Sequence, residues 1–146
     1  MNAGPDYAVS QMFFDSHYFF SFRERIEKRG ITIPVLPGIM PITNFKKVKK
    51  CASFCGATIP PWIEEKMLPL VDQPEEMEKM GVDSAVRQCE GFLDEGVSYL
   101  HFYTMNRFEA VTQILQAPNG RFSPEFFSID LPFPFGRDLR AERTTS

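Results

Sequence analysis

No stretch of about 20 apolar residues, the length that spans a bilayer as a helix, occurs in the sequence. Its most aromatic run, FFDSHYFFSF from Phe13, is broken by Asp15 and His17. A helical membrane protein is thereby excluded. Cysteine is scarce: Cys51, Cys55 and Cys89 are the only three, and an odd number does not suit a secreted disulfide framework. The region after Met1 lacks the apolar core of a signal peptide, so the expected compartment is the cytoplasm. Positive charge is not in excess either. With 16 Lys and Arg against 19 Asp and Glu, the net charge is -3, and KKVKK at Lys46 to Lys50 is too short to make a basic face. Nucleic acid is not an expected partner. Histidine is limited to two. Cys51 and Cys55, four apart on an expected helix, can share a metal, but a structural zinc wants four ligands and no further Cys or His pair completes the set. No metal is expected.

What is present suits one globular domain. The chain has 146 residues, 43% hydrophobic and 24% charged, enough apolar side chains to bury a core and enough charge to stay in water. Tyr7 to Phe14 reads as a strand that stops at Asp15. The Asp15 carboxylate or the Ser16 hydroxyl can cap the following helix, Ser16 to Arg29, in which Phe19, Phe22 and Ile26 recur at helical spacing. Gly30 supplies a left-handed residue after its end. Ile31 to Leu36 reads as a second, fully covered strand that PGIMP at Pro37 to Pro41 stops.

Asn44 then caps a helix whose Phe45, Val48, Ala52 and Cys55 share a face, and Gly56 closes it. PPWIEEKML opens a helix on a proline. PEEMEKMGVDSAVRQCEGFLDEG opens a longer one, with acidic residues at its positive end and Val82, Ala85, Cys89, Phe92 and Leu93 as its buried stripe. Val97 to Tyr103 reads as a third strand, and Asn106 opens a last helix carrying Val111, Ile114 and Leu115. Strands joined by helical crossovers lie parallel, so the order β, α, β, α, α, α, β, α predicts an α/β fold. Three strands do not close a barrel. Residues 1–116 form the expected domain, and 117–146, where proline and aromatics alternate without a period, form an irregular tail. Phe122, Phe126, Phe127, Leu131, Phe133 and Phe135 can lie across an exposed apolar face, or the tail can be largely disordered.

In parallel α/β sheets ligands bind at the carboxyl ends of the strands. SQMFFD at Ser10 to Asp15, VLPGIMPITNF at Val35 to Phe45 and HFYTMNR at His101 to Arg107 all stand there. In order and spacing these three motifs resemble the methylenetetrahydrofolate reductases, over about Tyr7 to Leu115. The resemblance implies a (β/α)8 TIM barrel, of which this sequence supplies the last three βα units. It also implies a flavoprotein in which NAD(P)H reduces FAD, and the reduced flavin passes hydride to 5,10-methylenetetrahydrofolate to give 5-methyltetrahydrofolate.

By the same resemblance Gln11 matches a glutamine that hydrogen-bonds the pterin edge, Met105 an apolar residue that packs on the pterin face, and Arg107 an arginine near the folate tail. Lys47 stands where bacterial members carry glutamine, and a lysine there can pair with a glutamate carboxylate of the folate. Cys51 stands where they carry phenylalanine, and a thiol cannot stack on a nicotinamide as a ring does. The family's catalytic glutamate, and most residues that grip FAD, have no counterpart in this sequence. The residues alone also allow plainer roles. Asp15 suits capping better than acid–base work, His101 suits packing within a strand, and His17 and the lysine cluster suit a wet helix face.

The expected function is therefore that of a carboxyl-terminal part of a methylenetetrahydrofolate reductase, inactive alone. The alternative is a non-catalytic piece that docks on a complementary chain, or on another copy of itself, through open sheet edges.

Overall fold

The computed structural model describes residues 4–105 and 107–117. The elements in order are β1 (Ala8–Phe13), α1 (Ser16–Glu27), β2 (Val35–Ile39), α2 (Phe45–Cys55), α3 (Pro61–Met67), a 3-10 turn (Leu68–Leu70), α4 (Pro74–Asp94), β3 (His101–Phe102) and α5 (Glu109–Leu115). The strands lie in the order β1-β2-β3, each parallel to the next. Successive strands side by side, with helices between them, are the arrangement of part of a (β/α)8 barrel. Residues 118–146, almost all of the expected tail, and Asn106 lie outside the described residues.

The helix ends follow from local chemistry. The Asp15 carboxylate accepts from the backbone N–H of His17 at 2.9 Å, so it caps α1. Its other oxygen accepts from the indole of Trp62 at 3.2 Å, which ties α3 to the same corner. Asn44 caps α2 by accepting from the Lys47 N–H at 3.0 Å, and Gly56, at φ 67°, ends that helix.

The second strand departs from expectation: it runs Val35–Ile39, through Pro37 and Gly38, and not over Ile31 to Leu36. Gly38 donates toward β1, to the Ser10 hydroxyl at 2.9 Å, whereas the Ile39 carbonyl accepts from Tyr103 of the third segment at 2.8 Å. Adjacent residues of a parallel strand bond to opposite sides, so Pro37 faces β3. The β2–β3 pairing begins only at Gly38 with His101, one step later. The absent proline N–H therefore removes no ladder bond. The third strand is His101–Phe102 instead of Val97 to Tyr103.

On the β1 side, Val9 pairs with Leu36 and Met12 with Gly38, leaving Ser10 and Gln11 opposite Pro37 alone in a bulge. The last helix also starts later than expected, at Glu109, with Phe108 before it making no side-chain cap.

Two apolar clusters hold these elements. One gathers Met12, Phe14, Met40, Ile42, Phe45, Val48, Ala52, Ile63, Met67 and Met77 around α2 and α3. The other gathers Phe19, Ile39, Val82, Ala85, Cys89, Phe92, Ala110 and Ile114 where α1, α4 and α5 cover the sheet. Met12 and Phe13, and likewise Ile39 and Met40, divide between them, because neighbours on a strand point to opposite faces. Phe19 meets Phe92 edge-on, with ring centroids 5.3 Å apart. Gln88 of α4, itself buried, donates to the Phe13 carbonyl at 2.5 Å and so satisfies the end of β1. Gly81 lets α4 approach the loop after β2: a Cβ there would stand 1.8 Å from the Ile42 carbonyl oxygen. Among the described residues no helix is long and apolar enough to cross a membrane.

Candidate functional site at the carboxyl ends of the strands

A cavity of about 170 Å³ opens where β2 and β3 end. Met40, Pro41 and Thr43 reach it from the loop after β2, Asn44, Lys47, Val48 and Cys51 from α2, and Tyr103, Thr104, Met105 and Arg107 from the loop after β3. Three of the four residues expected to bind substrate, Lys47, Met105 and Arg107, thus meet at one void although 58 to 60 positions separate the first from the others.

Gln11 is not in its lining. It stands exposed in the β1 bulge, where its side-chain oxygen accepts from the Met12 N–H at 3.1 Å. Tyr103 connects the two places: it lines the cavity, and its hydroxyl donates to the Ser10 carbonyl at 2.9 Å. Its ring lies over Gly38, where a Cβ would approach the ring to 2.6 Å. His101 meets the Tyr103 ring edge-on at 4.8 Å, a packing role as the sequence suggested.

The electrostatics favour an anion. The amino end of α2, with its positive partial charge, opens at the cavity through Asn44. No carboxylate among the described residues pairs with Lys47, whereas Lys49 on the outer side is tied to Glu64. Arg107 touches Glu78 only at 4.0 Å, and Glu78 also accepts from Gln113 at 3.1 Å, so among the described residues most of the five guanidinium donors have no partner. Met105 adds a backbone sign. Its φ is 50°, a left-handed conformation rare outside glycine, and the residue is 67% exposed. A non-glycine residue in that conformation costs of order 1–3 kcal/mol, which makes Met105 a candidate for a ligand contact.

Tyr103 stood in a motif at a strand end, and Thr43 and Asn44 in another, but none of the three had an assigned binding role. Asn44 was legible as a cap, but nothing local tells that a cap also borders a void. The cavity is smaller than the roughly 300–1,000 Å³ of pockets that enclose a whole cofactor-sized ligand, so by itself it takes part of a ligand and does not enclose FAD. Among them, no group of three or more His, Cys, Asp or Glu is placed to hold a metal. A second, wider groove of about 530 Å³ lies at the opposite, amino ends of the strands, lined by residues that include Arg23, Ile31, Ile33, Val35 and Tyr99.

Fold and site together define an α/β chain of the barrel type, with a cationic, partly apolar cavity at the carboxyl ends of its strands. The chain belongs to the methylenetetrahydrofolate reductase family: the family's sequence model matches residues 1–119. It is 34% identical over 116 residues to methylenetetrahydrofolate reductase 1 of Schizosaccharomyces pombe, covering 80% of this chain and 19% of that protein. It is 35% identical over 115 residues to methylenetetrahydrofolate reductase (NADH) 1 of Arabidopsis thaliana, covering 79% and 19%. With 5,10-methylenetetrahydrofolate reductase of Escherichia coli it shares 37% over 109 residues, covering 75% and 37%. The chain thus spans between about a fifth and somewhat over a third of the length of these relatives.

Proposed function

We propose that this chain carries the folate-binding rim of a methylenetetrahydrofolate reductase. The reaction to which the rim contributes is the family's FAD-dependent reduction of 5,10-methylenetetrahydrofolate to 5-methyltetrahydrofolate with NAD(P)H. Lys47 and Arg107 pair with the carboxylates of the folate tail, an ammonium and a guanidinium fork on either side of an anion. Met105 packs on the pterin face, and Gln11, which both donates and accepts, reads the pterin edge. The observation that carries this proposal is the meeting of Lys47, Met105 and Arg107 at one cavity. The free cysteines agree with a cytoplasmic setting.

Calorimetric titration of the purified chain with 5-methyltetrahydrofolate tests it. Binding is expected, and Lys47→Ala and Arg107→Ala each weaken it; unchanged affinity in both removes the rim assignment. Turnover is a separate matter. The three strands described here do not make a flavin cradle, so the chain alone is expected neither to retain FAD nor to oxidise NAD(P)H, and finding both would overturn that expectation.

A second role is favoured by the sheet edges. β1 and β3 each pair with β2 alone among the described strands, so their outer backbone groups are open to further strands. We infer that these edges dock on the remaining strands of the barrel, supplied by a complementary chain or by further sequence. Co-purification of a second polypeptide, or a shift to a larger particle on its addition, checks the two-chain form.

A further inference from the structure

Two thiols stand together on α2, and neither has a role in the folate proposal. Cys51 and Cys55 are one helical turn apart, which brings their Cβ atoms to about 5–6 Å on the same face. Cys51 is half-buried and lines the cavity; Cys55, the last residue of the helix, is exposed. The third cysteine, Cys89, is sealed on the buried face of α4, its thiol pushed up to about 12 by burial and, less, by the nearby Glu90. Two reachable sulfurs and one inert one make a selective arrangement. The Cys51 thiol is itself pushed above its ordinary value, first by burial and then by its neighbour Cys55.

A disulfide is not the product this spacing favours. It needs Cβ atoms about 3.5–4.5 Å apart, and drawing them in would unwind the last turn of α2. That turn is fixed by the Gly56 cap and by the bond from the Ala57 N–H to the Ala52 carbonyl at 2.9 Å. One soft atom bonded to both sulfurs spans the gap and leaves the helix intact.

We propose that Cys51 and Cys55 form a paired-thiol capture site for trivalent arsenicals on the wall of the cavity. The step is a condensation: an arsenic(III) oxide gives up its oxygen as water with the two thiol protons, two As–S bonds form, and the oxidation state of arsenic does not change. The site is independent of the folate proposal, since it needs only the helix and its two sulfurs.

Titration of the reduced full chain with phenylarsine oxide, followed by intact mass and a count of free thiols, tests it. One adduct per chain is expected, with loss of two of the three thiols and release by a small dithiol but not by a monothiol. Cys89→Ser retains the adduct, whereas Cys55→Ser, an exposed and nearly isosteric change, weakens it about 100-fold as chelation is lost. Failure of the wild-type adduct to form, or its survival unchanged in Cys55→Ser, overturns the proposal. Ready formation of an intramolecular disulfide with oxidised glutathione overturns the spacing argument behind it.

Discussion

At the amino ends of the strands, the groove of about 530 Å³ is floored by Phe19 and Val35, and its cation, Arg23, already lies 3.7 Å from Glu27 and over the Phe20 ring. At the carboxyl ends, a void of about 170 Å³ holds Lys47 without a carboxylate among the described residues and Arg107 with a distant one. The larger hollow is the less equipped one. Volume alone reports where elements fail to meet. Open charge and a left-handed residue such as Met105 mark the better candidate for a binding site. The two apolar clusters follow the division in large part: Met40, Val48 and Tyr103 belong both to the first cluster and to the cavity, and Phe19 and Val35 both to the second and to the groove, although Ala110 of the second cluster also lines the cavity.

Whether the ends are separable can be tested, starting with the largest expected effect. Phe92→Ala removes a ring with no exposure from the second cluster and should cost about 3–5 kcal/mol in urea unfolding. Folate affinity of the molecules that remain folded should hardly change; a matching loss of affinity would mean that the two ends act as one unit.

Cys89 sharpens the same point through pH. Its thiol, raised from 9.0 to about 12 by burial, keeps its proton in the folded state where the unfolded chain has released it. Stability from this group is therefore complete below about pH 9 and falls as pH rises from 9 toward 12, by about 1.4 kcal/mol per pH unit. Denaturation midpoints of Cys89→Ala should lack that part of the alkaline slope.

Next, Arg107→Ala should weaken folate binding about tenfold, or about 1.4 kcal/mol, while Arg23→Ala at the groove leaves it unchanged; equal effects in calorimetry would erase the contrast. Smallest, Asp15→Ala removes the cap of α1 and the Trp62 bond and should lower stability by about 1 kcal/mol. Trp62 fluorescence should report the change directly.

Much of this was legible in the residues. Asp15, Asn44 and Gly56 act within a few positions of themselves, so the helix ends could be read from local chemistry, and the period of Val82, Ala85, Cys89 and Phe92 marked the buried side of α4. The second strand was misjudged because proline and glycine usually stop a strand. Here Pro37 turns its nitrogen toward a place where β3 has not begun, and Gly38 is demanded by the ring of Tyr103 and the carbonyls of β1, partners 65 and 27 or 28 positions away.

The site divides in the same manner. The motif resemblance pointed to Lys47, Met105 and Arg107, but the part played by Tyr103 depends on a contact with Ser10 that no local pattern encodes.

That contact has a geometric outcome. Strands two apart in a flat sheet lie about 10 Å from each other, yet a phenol rooted beside β3 fastens onto the peptide of β1 by passing over the one residue of β2 that has no side chain. The three strands are clasped like staves under a hoop, and whatever joins their free margins inherits the curvature already set between Tyr103 and Ser10.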